Sequence, residues 1–371
     1  MTRGMRGRPA AAVVVVLLAA AACGPGAPSP SASAPGSDAT SPASAGSGSL
    51  PGPLLDNLTV RFGVFPNVTH APGLVELAPG GALSKLLPNA VIDVKAFNSG
   101  TEAVEAMFSN ALDVTFIGPN PAINAYVQSH GQAVRIISGS TSGGAFLVMP
   151  ARTTSAADLR GRKIASPSLG NTQDVALRAW LKSQGLSTDT AGGGDVSVVP
   201  QDNAQTLETF VAGTIDGAWL PEPWATRLIQ DAGARVLVDE RDLWPGGRYV
   251  TTHLMVATTF LDAHPDVVQR ILLATIQAVD FCSDHPADAQ GIVNGEIQRW
   301  TSKALGAPLL AGAWGNLTFT VDPIASSLQK SAADAEALGL LDDPGDLAGL
   351  YDLAPLDALL RTLGRPEVSG M

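Results

Sequence analysis

The sequence predicts an α/β fold with two similar lobes, and three observations carry that prediction. The first is an internal repeat: residues 103–122 (AVEAMFSNALDVTFIGPNPA) align with residues 206–225 (TLETFVAGTIDGAWLPEPWA) at a constant offset of 103, without a gap. Glu105, Asp113 and Ala122 recur as Glu208, Asp216 and Ala225, while Val104/Leu207, Met107/Phe210, Leu112/Ile215, Phe116/Trp219 and Ile117/Leu220 stay apolar in phase. The second is that both copies parse alike, as an amphipathic helix, an apolar run of strand length, a Gly/Pro corner and another helix. The third is that each copy sits in a longer alternation of strands and helices, the pattern of mainly parallel sheets flanked by helices.

Taken in order, residues 58–64 (LTVRFGV) read as a strand, a helix starts near His70, and residues 91–97 (VIDVKAF) form the next strand. The first repeat copy follows, and then a strand at residues 133–138 (AVRIIS). The second half runs through strand 162–166 (RKIAS), helix 171–184, strand 195–200 (DVSVVP), the second copy and strand 235–240 (RVLVDE). Beyond His253 the pattern is mostly helical, past Trp300 and Trp314 and through Leu-rich stretches at 323–341 and 347–363. These helices are expected to pack on the first lobe and brace the junction. Ligands of such sheets bind at the carboxyl ends of the strands, so the expected site lies between the lobes.

The amino terminus reads as an export signal. Residues 1–8 carry Arg3, Arg6 and Arg8 with no acid, and residues 10–22 are an unbroken apolar run, too short for a spanning helix, before Cys23. From Gly24 to about Pro53 the composition collapses to Gly, Pro, Ser, Ala and Thr, which cannot bury enough apolar surface to offset chain entropy and predicts a flexible tether. Only two cysteines occur, so no disulfide framework is expected, and Cys282 reads as a small buried apolar residue. Removing the three arginines lowers the net charge from -11 to -14, which argues against nucleic acid as a partner.

The loops that follow strands hold the candidate site. FPNVTHAP (65–72), NSGTE (98–102), IGPNPA (117–122), GSTSGG (139–144), SLGNTQD (168–174), QDNAQ (201–205), PEPW (221–224) and YVTTH (249–253) are rich in Asn, Ser, Thr and Gly and contain no Lys or Arg. Ser99 with Glu102 has the spacing of a capping box, and Asn171 before Thr172, Gln173 and Asp174 reads as an N-cap. Free amide N–H groups at a helix start form a neutral anion site, so these residues either hold a small oxyanion or only cap their helices. Glu222, rigid between two prolines, can pair with an amine on a ligand or with a residue of the other lobe; alternatively it is an exposed corner acid. His70 and His253 can each donate a ring N–H to an anion. Trp219 belongs to a strand and to the core, whereas Trp224, Phe65 and Phe97 can wall an apolar part of a ligand. Neither H-E-x-x-H, G-x-S-x-G, a P-loop nor zinc-type Cys/His spacing is present, which disfavours an enzyme, and no metal or cofactor is expected.

These segments together resemble the substrate-binding proteins of ABC importers for aliphatic sulfonates, taurine and nitrate, over roughly residues 58–360. GPNP, GNTQD and PEPW carry the likeness most specifically. The AAAC of residues 20–23 is similar to a bacterial lipobox, although Ala20 stands where Leu is usual; it implies a signal over residues 1–22, lipidation of Cys23 and a tether over 23–53. The resemblance implies the two-lobe periplasmic-binding-protein fold of type II, with lobe 1 built from residues 54–142 plus 254–371 and lobe 2 from 143–253. Two strands would form its hinge, near residues 142–147 and 250–254. It further implies an extracytoplasmic, lipid-anchored monomer that delivers a small ligand to an ABC permease and its ATPase. Carried over residue by residue, the ligand positions are Asn67, Thr69, His70, Ser99, Gly100, Pro119, Asn120, Thr141, Ser142, Asn171, Thr172 and Glu222. A sulfonate, taurine-like molecules included, suits loops of neutral donors. Nitrate, bicarbonate and a pyrimidine precursor of thiamine remain alternatives, as do a tethered ligand sensor and a pyrimidine-making enzyme on the same scaffold.

Overall fold

The computed structural model describes residues 58–370. The expected signal peptide, the lipidation at Cys23 and the tether lie outside them. The first half runs β1 (Thr59–Val64), α1 (Ala71–Leu77), α2 (Ala82–Leu86), β2 (Val91–Ala96), α3 (Gly100–Phe108), β3 (Val114–Ile117), α4 (Pro119–Gln128) and β4 (Val134–Gly143). The second runs β5 (Ala145–Pro150), β6 (Lys163–Ser166), α5 (Thr172–Ser183), β7 (Ser197–Pro200), α6 (Asn203–Val211), β8 (Gly217–Pro221), α7 (Trp224–Ala232) and β9 (Ala234–Asp239). Then come β10 (Val250–Ala257), α8 (Thr258–Ala263), α9 (Pro265–Asp284), α10 (Pro286–Thr301), α11 (Ala307–Trp314), β11 (Leu317–Phe319), α12 (Ala325–Ala337) and α13 (Ala354–Thr362). The repeat is structural: α3 and α6 begin and end 103 residues apart, and so do the starts of β3 and β8.

Two sheets result, ordered β2-β1-β3-β10-β4-β11 and β7-β6-β8-β5-β9. Among the strands of the described residues, only β2-β1-β3 and β7-β6-β8 pair in parallel. The expected mainly parallel sheets are therefore mixed: β5 and β10 each arrive from the opposite sheet and run antiparallel beside β8 and β3. The chain crosses between sheets twice. The first crossing is abrupt, from β4 into β5 through Gly143 (φ 82°) and Gly144 (φ 74°). That left-handed conformation favours glycine, and a Cβ on Gly144 would stand 2.2 Å from a Leu317 methyl carbon. The second crossing passes from β9 to β10 through two short 3-10 turns, Glu240–Leu243 and Pro245–Gly247.

Strand alternation sends side chains to two cores on each sheet. On the first sheet Phe62, Phe116 and Leu254 join Ile271 of α9, while Ile117 and Met255 join Ile123 of α4 and Leu328 of α12. On the second, Leu147 and Trp219 pack with Leu177 of α5, and Phe146 and Leu220 with Leu228 of α7. Cys282 is fully buried, as its apolar helix predicts. The carboxy-terminal helices do more than cover the first sheet, because α11 packs on α7 and α12 packs on α5 as well as α4. Hydrogen bonds reinforce these contacts: Lys182 Nζ donates to the Ala337 carbonyl at 2.8 Å, and Gln230 Nε2 to that of Pro308 at 3.3 Å. The expected brace is present where the Val250 N–H, at the second crossing, donates to Ser327 Oγ of α12 at 3.1 Å.

Candidate functional site

A cavity of about 70 Å³ opens where the carboxyl ends of the parallel strands of both sheets face each other. The repeat supplies its walls in pairs 103 residues apart: Thr69 and Thr172, His70 and Gln173, Gly100 and Asn203, Gly118 and Pro221. Four helices of nine residues or more, α3, α4, α5 and α6, point their first turns or N-caps into it. The dipoles of these helices favour negative charge in the cavity without a charged side chain, since no Lys, Arg, Asp or Glu lines it, although α4, which starts Pro119-Asn120-Pro121, adds few amide donors.

Two lining residues cap their helices and still keep a donor free. Asn171 Oδ1 accepts the Asp174 N–H at 3.1 Å, which fixes the amide orientation and leaves Nδ2 with both its protons to donate. Ser99 Oγ accepts the Glu102 N–H at 3.4 Å, leaving the hydroxyl proton free. The return arm of this cap falls on Asn98, whose N–H donates to Glu102 Oε2 at 3.1 Å. The Asn171 loop is anchored from behind: the buried Asp174 accepts from Ser166 Oγ at 2.6 Å and the Gly170 N–H at 3.0 Å, and pairs with Arg178 at 2.9 Å. Across the cavity Asn67 Oδ1 accepts from the Thr69 N–H at 3.2 Å, and the Thr252 hydroxyl holds the Thr69 carbonyl at 3.0 Å.

His70 is buried beside Phe65, their ring centroids 4.5 Å apart, and its Nδ1 has no protein partner. Burial pulls its pKa down to about 3, so at neutral pH the ring is uncharged and offers one N–H and one lone pair. The site is thus a small, neutral, donor-rich chamber suited to an oxyanion.

Of the sequence-derived candidates, the structure gathers Asn67, Thr69, His70, Ser99, Gly100, Asn171 and Thr172 around this chamber. The others stand outside its lining. Pro119 and Asn120 sit one step behind Gly118, and Asn120 Nδ2 donates backwards to the Ser331 carbonyl of α12. Thr141 and Ser142 pair with Phe319 and Thr318 of β11. His253 lies mid-strand in β10, its Nε2 3.0 Å from the Pro323 carbonyl and its pKa drawn down to about 4 by burial. Glu222 is fully buried rather than an exposed corner acid: it accepts from the Thr226 N–H at 3.1 Å, the Thr226 hydroxyl at 2.7 Å and Asn316 Nδ2 at 2.7 Å. Burial raises its pKa against the lowering effect of those bonds. Asn203, Gln173 and Thr251 lie in loops the sequence singles out yet were not among the candidates, and Gly118, Pro121, Pro167 and Pro221 complete the walls with Phe65 and Asn98.

A model of the NMT1-like family matches residues 56–294. A protein of Brucella abortus (strain 2308) that carries the name of a binding protein is 24% identical over 240 residues, 64% of this chain and 72% of its own. The taurine-binding periplasmic protein of Escherichia coli (strain K12) is 26% identical over 189 residues, 51% of this chain and 57% of its own. Among solved structures, the alkanesulfonate-binding protein SsuA from Xanthomonas axonopodis pv. citri, bound to MOPS, superposes with a TM-score of 0.68 at 19% identity, covering 81% of this chain and all (100%) of that one.

Proposed function

The chain belongs to the NMT1-like family, and on that premise we propose that it captures a small organic sulfonate between its two sheets for an ABC importer. The observation that carries this reading is the chamber lined by four helix N-termini and neutral donors with no charged side chain. A sulfonate spreads one negative charge over three oxygens that accept hydrogen bonds and stays ionised at any physiological pH. Such a group matches convergent hydroxyl, amide and backbone donors and needs no arginine. Asn67, Thr69, His70, Ser99, Gly100, Asn171 and Thr172 are its contacts in this reading, with Asn203 and Gln173 added by the geometry.

Residues 54–142 with 254–371 act as one lobe and 143–253 as the other, turning about the two crossings. Ligand contacts from both lobes favour the closed form. Cys23 carries the lipid that holds the protein outside the cytoplasmic membrane, where as a monomer it delivers its ligand to a membrane permease powered by a cytoplasmic ATPase. Nitrate and bicarbonate are the second reading, favoured by the small volume of the chamber.

Thermal unfolding of the purified full-length protein against methanesulfonate, taurine, nitrate, bicarbonate and a thiamine-type pyrimidine tests the assignment. A sulfonate at a hundredfold excess over its Kd adds about 2.7 kcal/mol to stability. A shift with nitrate, bicarbonate or the pyrimidine and none with any sulfonate would sink it.

A further inference from the structure

The oxyanion chamber lies beside a compartment of about 430 Å³ that has Phe65, Asn67, Asn98 and Asn203 in common with it. To the residues the two have in common the outer compartment adds large apolar side chains, Phe97, Leu207, Trp224, Ile297 and Leu305, which the chamber lacks. Phe65 and Phe97 form one wall, with ring centroids 6.4 Å apart and tilted by 49°. Trp224 faces from α7 of the other sheet, its ring held by the Arg227 guanidinium at 5.1 Å. Charged groups at this level come in both signs, Asp202 and Glu208 against Arg227 and Lys303, so they select for no net charge.

A head-group chamber flanked by a compartment several times its volume, with Phe65, Phe97 and Trp224 in its walls, does not match taurine, nitrate or bicarbonate, which would leave the larger space to water. We infer that the ligand is a sulfonate bearing an aromatic or comparably bulky apolar body, with the oxyanion in the chamber and the body between Phe97, Leu207 and Trp224. Aromatic rings pack on such walls in tilted or offset arrangements, and their burial supplies affinity that the head group cannot. This inference rests on the oxyanion reading of the chamber.

Isothermal titration of the full-length protein with methanesulfonate, taurine, benzenesulfonate and 2-naphthalenesulfonate tests it, repeated on Trp224→Ala and on Leu207→Ala. Burying one or two rings predicts 2-naphthalenesulfonate binding on the order of 10- to 100-fold tighter than methanesulfonate. Each variant should cut that ratio several-fold while leaving methanesulfonate affinity unchanged. The Leu207 variant guards against a Trp224 variant that misfolds, and both are checked by their melting temperatures. Methanesulfonate or taurine binding as tightly as the aromatic sulfonates overturns the inference and leaves the oxyanion reading standing. If no sulfonate of either size binds, the oxyanion reading falls and the inference falls with it.

Discussion

Asn171 has two ends, and the structure uses them differently. Its carbonyl oxygen accepts the Asp174 N–H and starts α5, while its amide nitrogen is left free to donate at a residue that lines the chamber. Aspartate caps a helix as well as asparagine does, yet it would place a second acceptor with a negative charge where the amide donor stands. Asn171→Asp is therefore expected to keep the melting temperature within a few degrees while abolishing oxyanion binding by calorimetry. Asn171→Ala is expected to weaken binding and also to lose about 1 kcal/mol of stability, because both ends go. Binding by the aspartate variant at wild-type strength would remove Asn171 from the site. The cap was legible in the sequence, whereas N-T-Q-D alone left open whether the residue also meets a ligand, because the same four letters describe a cap in open solvent; the corner of β3 and α4 across the gap is what makes it part of a wall.

At the level of elements, the repeat is what builds the chamber, and it was legible further than it was followed. Carried three residues upstream, the alignment that pairs Ala103 with Thr206 pairs Gly100 with Asn203, both at helix starts and both in the lining. His253, Thr141 and Ser142 illustrate the opposite case. Each occupies a strand beside the crossings, and what turns Thr141 and Ser142 from the chamber is β11, three residues long and far along the chain, with too little periodicity to be read. The corners themselves meet tightly: a Cβ on Gly118 would stand 2.8 Å from Thr172 Oγ1, one element from each half of the repeat. Gly118 has φ -72°, so alanine fits the backbone, and the methyl group acts only on the space between corners. Gly118→Ala is expected to gain about 0.4–1 kcal/mol through the unfolded chain and to lose a similar amount through the displaced Thr172 hydroxyl, leaving stability nearly unchanged. Affinity should fall at least tenfold as Thr172 is pushed off its position. Equal affinities for the two proteins by titration would show that the corners do not need to approach this closely.

Across the whole molecule, buried ionisable groups set how stability depends on pH, and they pull in opposite directions. His70 and His253 have pKa values lowered by burial to about 3 and about 4, against 6.5 when unfolded. The unfolded chain therefore takes up protons that the folded one refuses, and stability drops as pH falls below 6.5. Glu240 behaves inversely. It is buried behind the second sheet, accepts the Trp219 indole N–H at 2.8 Å, and has its pKa raised to about 7 from 4.5, chiefly by desolvation and despite nearby Lys330. Its contribution is complete below pH 4.5 and is lost as pH rises through 7, where the unfolded chain has already released a proton that the folded one keeps. Between these limits Glu240 offsets only part of the effect of the two histidines, and Glu222 and Glu76, whose pKa values burial also raises, oppose them in the same sense, which flattens the profile of the native protein. Glu240→Gln retains an acceptor for Trp219 and deletes the titration. The variant should match wild type near pH 4.5 and exceed it above pH 7 by on the order of 2–3 kcal/mol, read from urea unfolding at a series of pH values. Parallel curves for the two proteins would mean that Glu240 is ionised in the fold throughout, and that the carboxylate behind the second sheet is paired rather than merely buried.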